Sequence, residues 1–135
     1  MEDGGICAVI VGCPKLKYLN VGCSAVTDAA LASIGRHSRA VAELHLHGTE
    51  ITDGGVFGLV ADPTTAAALR HLGLSQCTSL RDPSPDAIRA ACTGLLSLHM
   101  LGCTGVSKAA RRRLQGWPQL ESLDCDDDTP LLVVS

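Results

Sequence analysis

A six-residue pattern, apolar–x–x–apolar–x–apolar, recurs five times along the chain: LKYLNV (16–21), VAELHL (41–46), LRHLGL (69–74), LLSLHM (95–100) and LESLDC (120–125). The starts, at 16, 41, 69, 95 and 120, are 25, 28, 26 and 25 residues apart. Alternation within the pattern predicts a short strand whose Leu or Val positions turn inward while the residues between them turn outward. A second apolar spacing follows, with Ala30, Leu31 and Ile34; Val56, Leu59 and Val60; Ala87, Ile88 and Ala91; Ala110 and Leu114. That spacing is helical. Between strand and helix stand VTD (26–28), ITD (51–53), LRD (80–82) and the weaker VSK (106–108), so Asp28, Asp53 or the preceding threonine is expected to cap the helix. Each period thus reads strand, turn, helix, and a helical return makes successive strands parallel. One such unit cannot bury its apolar face; stacked units can.

The departures from the period carry information as well. DGGICAVIVGCPKL puts Asp3 where Asp28 and Asp53 fall, with Ile6, Val9 and Ile10 on a helix, so the chain is expected to open inside a repeat. The longer stretch VADPTTAAALR (60–70) predicts a short helical turn or bulge beginning at Pro63. In DPSPDAIRAAC, Pro83 and Pro85 form a rigid lead-in, with Pro85 suited to the first helical position. Asp126, Asp127 and Asp128 then solvate the end of the sheet or attract a cation or basic partner. Leu131 to Val134 form a partial cap or a frayed tail. The expected division is a repeat domain over 1–128, its first repeat partial and its last truncated, and a tail over 129–135.

Composition narrows the picture. Apolar residues make up 46% of the chain but aromatic ones only 2%, which calls for a core of layered aliphatic side chains. Seven cysteines, an odd number with no CxxC pair, argue against a disulfide framework and a zinc knuckle. Aligned by type, Cys23, Cys77 and Cys103 share a turn position with Thr49, while Cys13 and Cys92 close helices where other repeats have Ser38, Ala66 and Trp117. Cysteine there acts as a small hydrophobe. A formal charge of −3 gives no reason to expect nucleic acid or an acidic membrane, and KAARRRLQ (108–115) reads as a solvated helix face. The start of the chain, without a basic leader or a long apolar run, leads us to expect a cytoplasmic or nuclear protein with reduced thiols.

Over about residues 3–126 the chain resembles the cysteine-containing leucine-rich repeats of F-box/leucine-rich-repeat proteins and their F-box-less relatives. The resemblance implies an α/β solenoid of about five repeats, a horseshoe arc with parallel concave strands and convex helices. It also implies a substrate-recognition or adaptor role in an SCF-type ubiquitin ligase, whose subunits would be reached through a segment missing from this chain.

In that architecture the outward strand positions form the candidate surface. They are Tyr18, Asn20 and Gly22; Glu43, His45 and His47; His71, Gly73 and Ser75; Ser97, His99 and Leu101; then Glu121 flanked by Ser122, Asp124 and Asp126. Four of the five histidines project from this face. The candidate partner-binding residues are Tyr18, Asn20, Glu43, His45, His47, His71, Ser75, His99, Leu101 and Asp124. Three readings stay open: a polar recognition surface for a protein or peptide, incidental solvent-facing residues, or a metal site. Against the third, His45 and His99 sit two strands apart, roughly 9.6 Å at the backbone, with His71 diagonal to both. No GxSxG, P-loop, HExxH or GxGxxG occurs, and no cofactor is implied. The expected function is therefore a non-enzymatic protein-interaction module, with a structural scaffold in a cytoskeletal or flagellar assembly as the alternative. Clustered imidazoles make partner affinity sensitive to pH between about 6 and 8.

Overall fold

The computed structural model describes residues 2–125. Asp126–Asp128, Leu131–Val134 and the boundary placed after residue 128 lie outside the described residues. Helix α1 (Asp3–Gly12) precedes strand β1 (Tyr18–Asn20); then come α2 (Asp28–His37), β2 (Glu43–His45), α3 (Asp53–Val60), α4 (Pro63–Ala68) and β3 (His71–Gly73). Helix α5 (Pro83–Ala91), β4 (Ser97–Met100), α6 (Lys108–Gln115) and β5 (Ser122–Cys125) complete the order. All five strands join one parallel sheet in sequence order, β1 to β5. The register aligns Leu19, Leu44, Leu72, Leu98 and Leu123 in a single column. That column meets Ile6, Leu31, Ile34, Leu59 and Ile88 from the helices in one apolar core. No described helix is long and apolar enough to cross a membrane.

Inter-strand bonding runs on past the strands into the turns. Val21 and Cys23 donate to the carbonyls of His45 and His47 at 2.9 and 2.7 Å, and the next two repeats do the same from Leu46, Gly48, Leu74 and Gln76. In each turn one residue adopts the left-handed backbone: Cys23, Gly48, Gln76 and Gly102, at φ 56, 67, 61 and 74°. Glycine accepts that conformation without a Cβ clash. The following residue is the one that faces in: Ser24, Thr49, Cys77 and Cys103. Ser24 Oγ and Thr49 Oγ1 donate to Val21 and Leu46 carbonyls at 2.5 and 2.7 Å, while the longer thiols of Cys77 and Cys103 reach back one repeat to Leu46 and Leu74 carbonyls at 3.2 and 3.0 Å. This corrects the alignment of Cys23 with Cys77 and Cys103. Cys23 is exposed at the left-handed position, and Ser24 takes the inner one.

The expected helix caps are also reassigned. Neither Thr27 nor Thr52 caps its own helix with its side chain. Instead the aspartate that opens one helix accepts from the next repeat. Asp3 receives Thr27 N and Oγ1 at 2.6 and 2.5 Å; Asp28 receives Thr52 N and Oγ1 at 2.7 and 2.5 Å. Asp53 takes the Arg81 amide at 2.9 Å and the Ser84 hydroxyl, and Asp82 takes Ser107 N and Oγ at 2.6 Å each. The Ser107 hydroxyl, then its amide, hold the Asp82 carboxyl below its ordinary range. Lys108 occupies the same place in the fourth strand's repeat, with no carboxylate to offer.

The long second period folds as an extra helix, α4. Asp62 caps it, accepting from Thr64 N at 2.8 Å and pairing with Arg39, and the buried Thr65 hydroxyl donates to Gly35 and Ser38 carbonyls at 3.0 and 2.9 Å. Helix α5 begins at Pro83 rather than Pro85, which is buried two residues later. On α6, Arg113 grips Asp86 with two bonds of 3.0 Å and Arg111 donates to the Val106 carbonyl at 2.6 Å, so only part of the KAARRRLQ charge is simply solvated.

Candidate binding face

The sheet face opposite the core is laid out in rows by the register. The first row is Tyr18, Glu43, His71, Ser97 and Ser122; the second is Asn20, His45, Gly73, His99 and Asp124. The turn bonds carry a third row of Gly22, His47, Ser75 and Leu101. Tyr18 and Leu101 are 54% and 46% exposed, the histidines are half-buried, and Gly73 and Ser97 are the buried low ground between them. All ten residues singled out in the sequence therefore share one face, as does Ser97, which was noted on this face but left out of the site.

Two imidazole–carboxylate pairs organise the centre. His45 Nε2 lies 2.7 Å from Glu43 Oε2, with the Tyr18 ring 5.7 Å away at 50°. Its ring leans over Gly73, where an added Cβ would come within 2.7 Å of Nδ1. On the other side, His99 Nδ1 lies 2.5 Å from Asp124 Oδ2, and its Nε2 lies 2.9 Å from Ser97 Oγ. His47 lies across Gly22, where an added Cβ would overlap the ring at 2.1 Å. Asn20 and Ser75 partly serve the backbone: Asn20 Oδ1 accepts from Gly22 N at 3.0 Å, and Ser75 Oγ from Leu101 N at 3.1 Å.

The Ser97–His99–Asp124 chain has the connectivity of a nucleophile, its base and an orienting carboxylate. Acyl transfer also needs donors aimed at an oxyanion and a site that excludes water. Here the Ser97 amide is given to the Arg70 carbonyl at 3.0 Å, and the ring stands on an open sheet. The chain fixes the orientation of His99. Among the described residues no three His, Cys, Asp or Glu side chains converge as metal ligands. Burial raises the Cys77 thiol and pushes that of Cys92 up to about 12, which keeps both protonated.

Sequence reasoning missed the glycine floor and the Asp82–Ser107 type of link. The first had a signal, because Gly73 is an outward strand residue, where glycine marks close approach of a neighbour.

Strand–turn–helix units on a leucine column make this an α/β fold around one five-stranded parallel sheet. No family model matches the chain. Its fold resembles the leiomodin-1 actin-binding site 2, with a TM-score of 0.72 and 14% identity over 93% of this chain and 79% of that one. It also resembles the tropomodulin C-terminal domain of Caenorhabditis elegans, with a TM-score of 0.68 and 12% identity over 94% of this chain and 84% of that one. In sequence it is 28% identical over 92 residues, 65% of its length, to the antagonist of mitotic exit network protein 1 of Eremothecium gossypii. The chain spans only 23% of that relative's length.

Proposed function

We propose that this chain is a non-enzymatic protein-interaction module, a solenoid arc whose hollow side is the histidine-bearing face, working as a scaffold of cytoskeletal type. The observation that carries the reading is the placement of Tyr18 and Leu101. They are two of the four large apolar side chains exposed among the described residues, and they flank the half-buried histidines on one rigid sheet. Exposed aromatic and aliphatic anchors around polar groups suit a protein interface. The likeness to an actin-binding site of leiomodin supports the cytoskeletal role over the ligase role, which rests on the repeat resemblance alone.

Affinity capture and actin co-sedimentation with wild type, with Tyr18→Ala, and with His45→Ala/His71→Ala/His99→Ala test this. Partners, actin among them for the cytoskeletal role, should be held by wild type and lost from both variants. Capture that is identical for all three proteins would place the interface elsewhere, and recovery of ligase subunits in place of filament proteins would reverse the choice of role.

A further inference from the structure

Among the described residues, the outward positions of the sheet hold two carboxylates, Glu43 and Asp124, four imidazoles, and neither lysine nor arginine; all eleven Lys and Arg residues lie elsewhere. Each carboxylate gives one oxygen, Oε2 or Oδ2, to an imidazole. The other oxygen is left to accept from a cation. We propose that this face docks a basic segment of a partner protein, Glu43 and Asp124 each taking one lysine or arginine, and that protonation of His45 and His99 releases it. The proposal deepens the docking-face reading above and rests on it.

The geometry sets the spacing. Glu43 on β2 and Asp124 on β5 are three strands apart and offset by two residues along the strands, so about 16 Å separates their backbones. An extended segment lying across the strands advances about 3.4 Å per residue and shows every second side chain to the same side. Two basic residues four apart span about 14 Å and point the same way, and their long side chains cover the remaining offset. The residue midway between them meets the low ground of Gly73 and Ser97, between His45 and His99.

Charge sets the gate. With neutral rings, the two pairs carry two negative charges. With both rings protonated, each pair is neutral and the attraction is lost. Imidazole makes that change between about pH 5 and 8. The groups facing His45 are Glu43 on its own strand, Tyr18 and Asn20 from β1, and Gly73 and the diagonal His71 from β3. Those facing His99 are Ser97 on its own strand, Gly73 and the diagonal His71 from β3, and Asp124 from β5. The His71 ring lies on the same face, diagonal to both His45 and His99.

The test uses the whole chain and fluorescein-labelled peptides containing Lys-Ala-Val-Ala-Lys, the same peptide with glutamate for lysine, and one with the lysines two apart. Binding is read by anisotropy, and the contact face by amide shifts in ¹H–¹⁵N spectra. The four-spaced lysine peptide should bind best, shift the amides of Gly73 and His99, and lose about tenfold in affinity between pH 7.5 and 5.5. His45→Gln with His99→Gln should flatten the pH dependence of whatever lysine-peptide binding it retains; Glu43→Gln with Asp124→Asn should abolish binding at both pH values, with unchanged circular dichroism. Preference for the glutamate peptide at these same amides would overturn the charge proposal and leave the docking face standing. Lysine-peptide shifts confined to the helices would overturn both. Self-association through this face, blocked by Gly73→Leu, would name a second copy as the occupant and overturn the basic-segment proposal.

Discussion

Two sets of carboxylates in this protein lead different lives. Asp3, Asp28, Asp53 and Asp82, along the helix starts, are each taken up by an amide and a hydroxyl of the following repeat. Glu43 and Asp124, on the sheet face, meet only imidazoles. The partners of the first set are amides and hydroxyls, whereas those of the second are imidazoles, each able to donate or accept. Hydrogen-bond partnership, more than residue type, separates structural acids from those free to meet another molecule.

The largest effect should come from breaking the structural set. Asp28→Ala strips the acceptor from both Thr52 groups and should cost about 2 kcal/mol in urea unfolding, while Asp124→Ala on the sheet face should stay within about 0.5 kcal/mol of wild type. Equal losses from the two would erase the distinction. A second effect sharpens it at the turns that join the two regions. Gln76 carries a side chain at a left-handed φ of 61°, where Gly48 and Gly102 have none. Gln76→Gly should raise stability by about 1 kcal/mol, read from the denaturation midpoint at constant slope. No gain would mean that the side chain compensates by packing. The third effect is the finest and depends on pH. Ser107 holds the Asp82 carboxyl down, so its stabilisation is full above the unfolded value of about 4 and fades as pH falls through the lower folded value. Asp82→Asn should flatten the acid limb of a stability–pH curve, and an unchanged limb would assign that loss to other carboxylates.

The sequence reveals the sheet more fully than the links between repeats. Five copies of one apolar pattern placed Leu19, Leu44, Leu72, Leu98 and Leu123 in a column, because a buried strand residue must be apolar and its period is two. The same periodicity brought the outward histidines to one face. The assignment of Cys23 went astray because residues were matched by type. Counted from each strand pattern, the inner turn position is the ninth residue, which is Ser24, Thr49, Cys77 or Cys103. Hydroxyl and thiol serve there alike, as small donors to a carbonyl. The aspartate links were hidden for another reason. Each joins residues at least 24 positions apart, and an acid beside a helix start reads locally as that helix's own cap. Nothing in the pattern of apolar positions says that it reaches forward. The Ser97–His99–Asp124 chain was hidden likewise, since its last member arrives from the neighbouring strand.

The forward reach of those aspartates gives the molecule a direction. Every clasp is closed by the unit behind it, so loosening one helix start releases the unit ahead and leaves the unit behind fastened. Lys108, at the place where the series would continue, carries no carboxylate, so among the described residues the clasps run from α1 to α6 and point one way along the array.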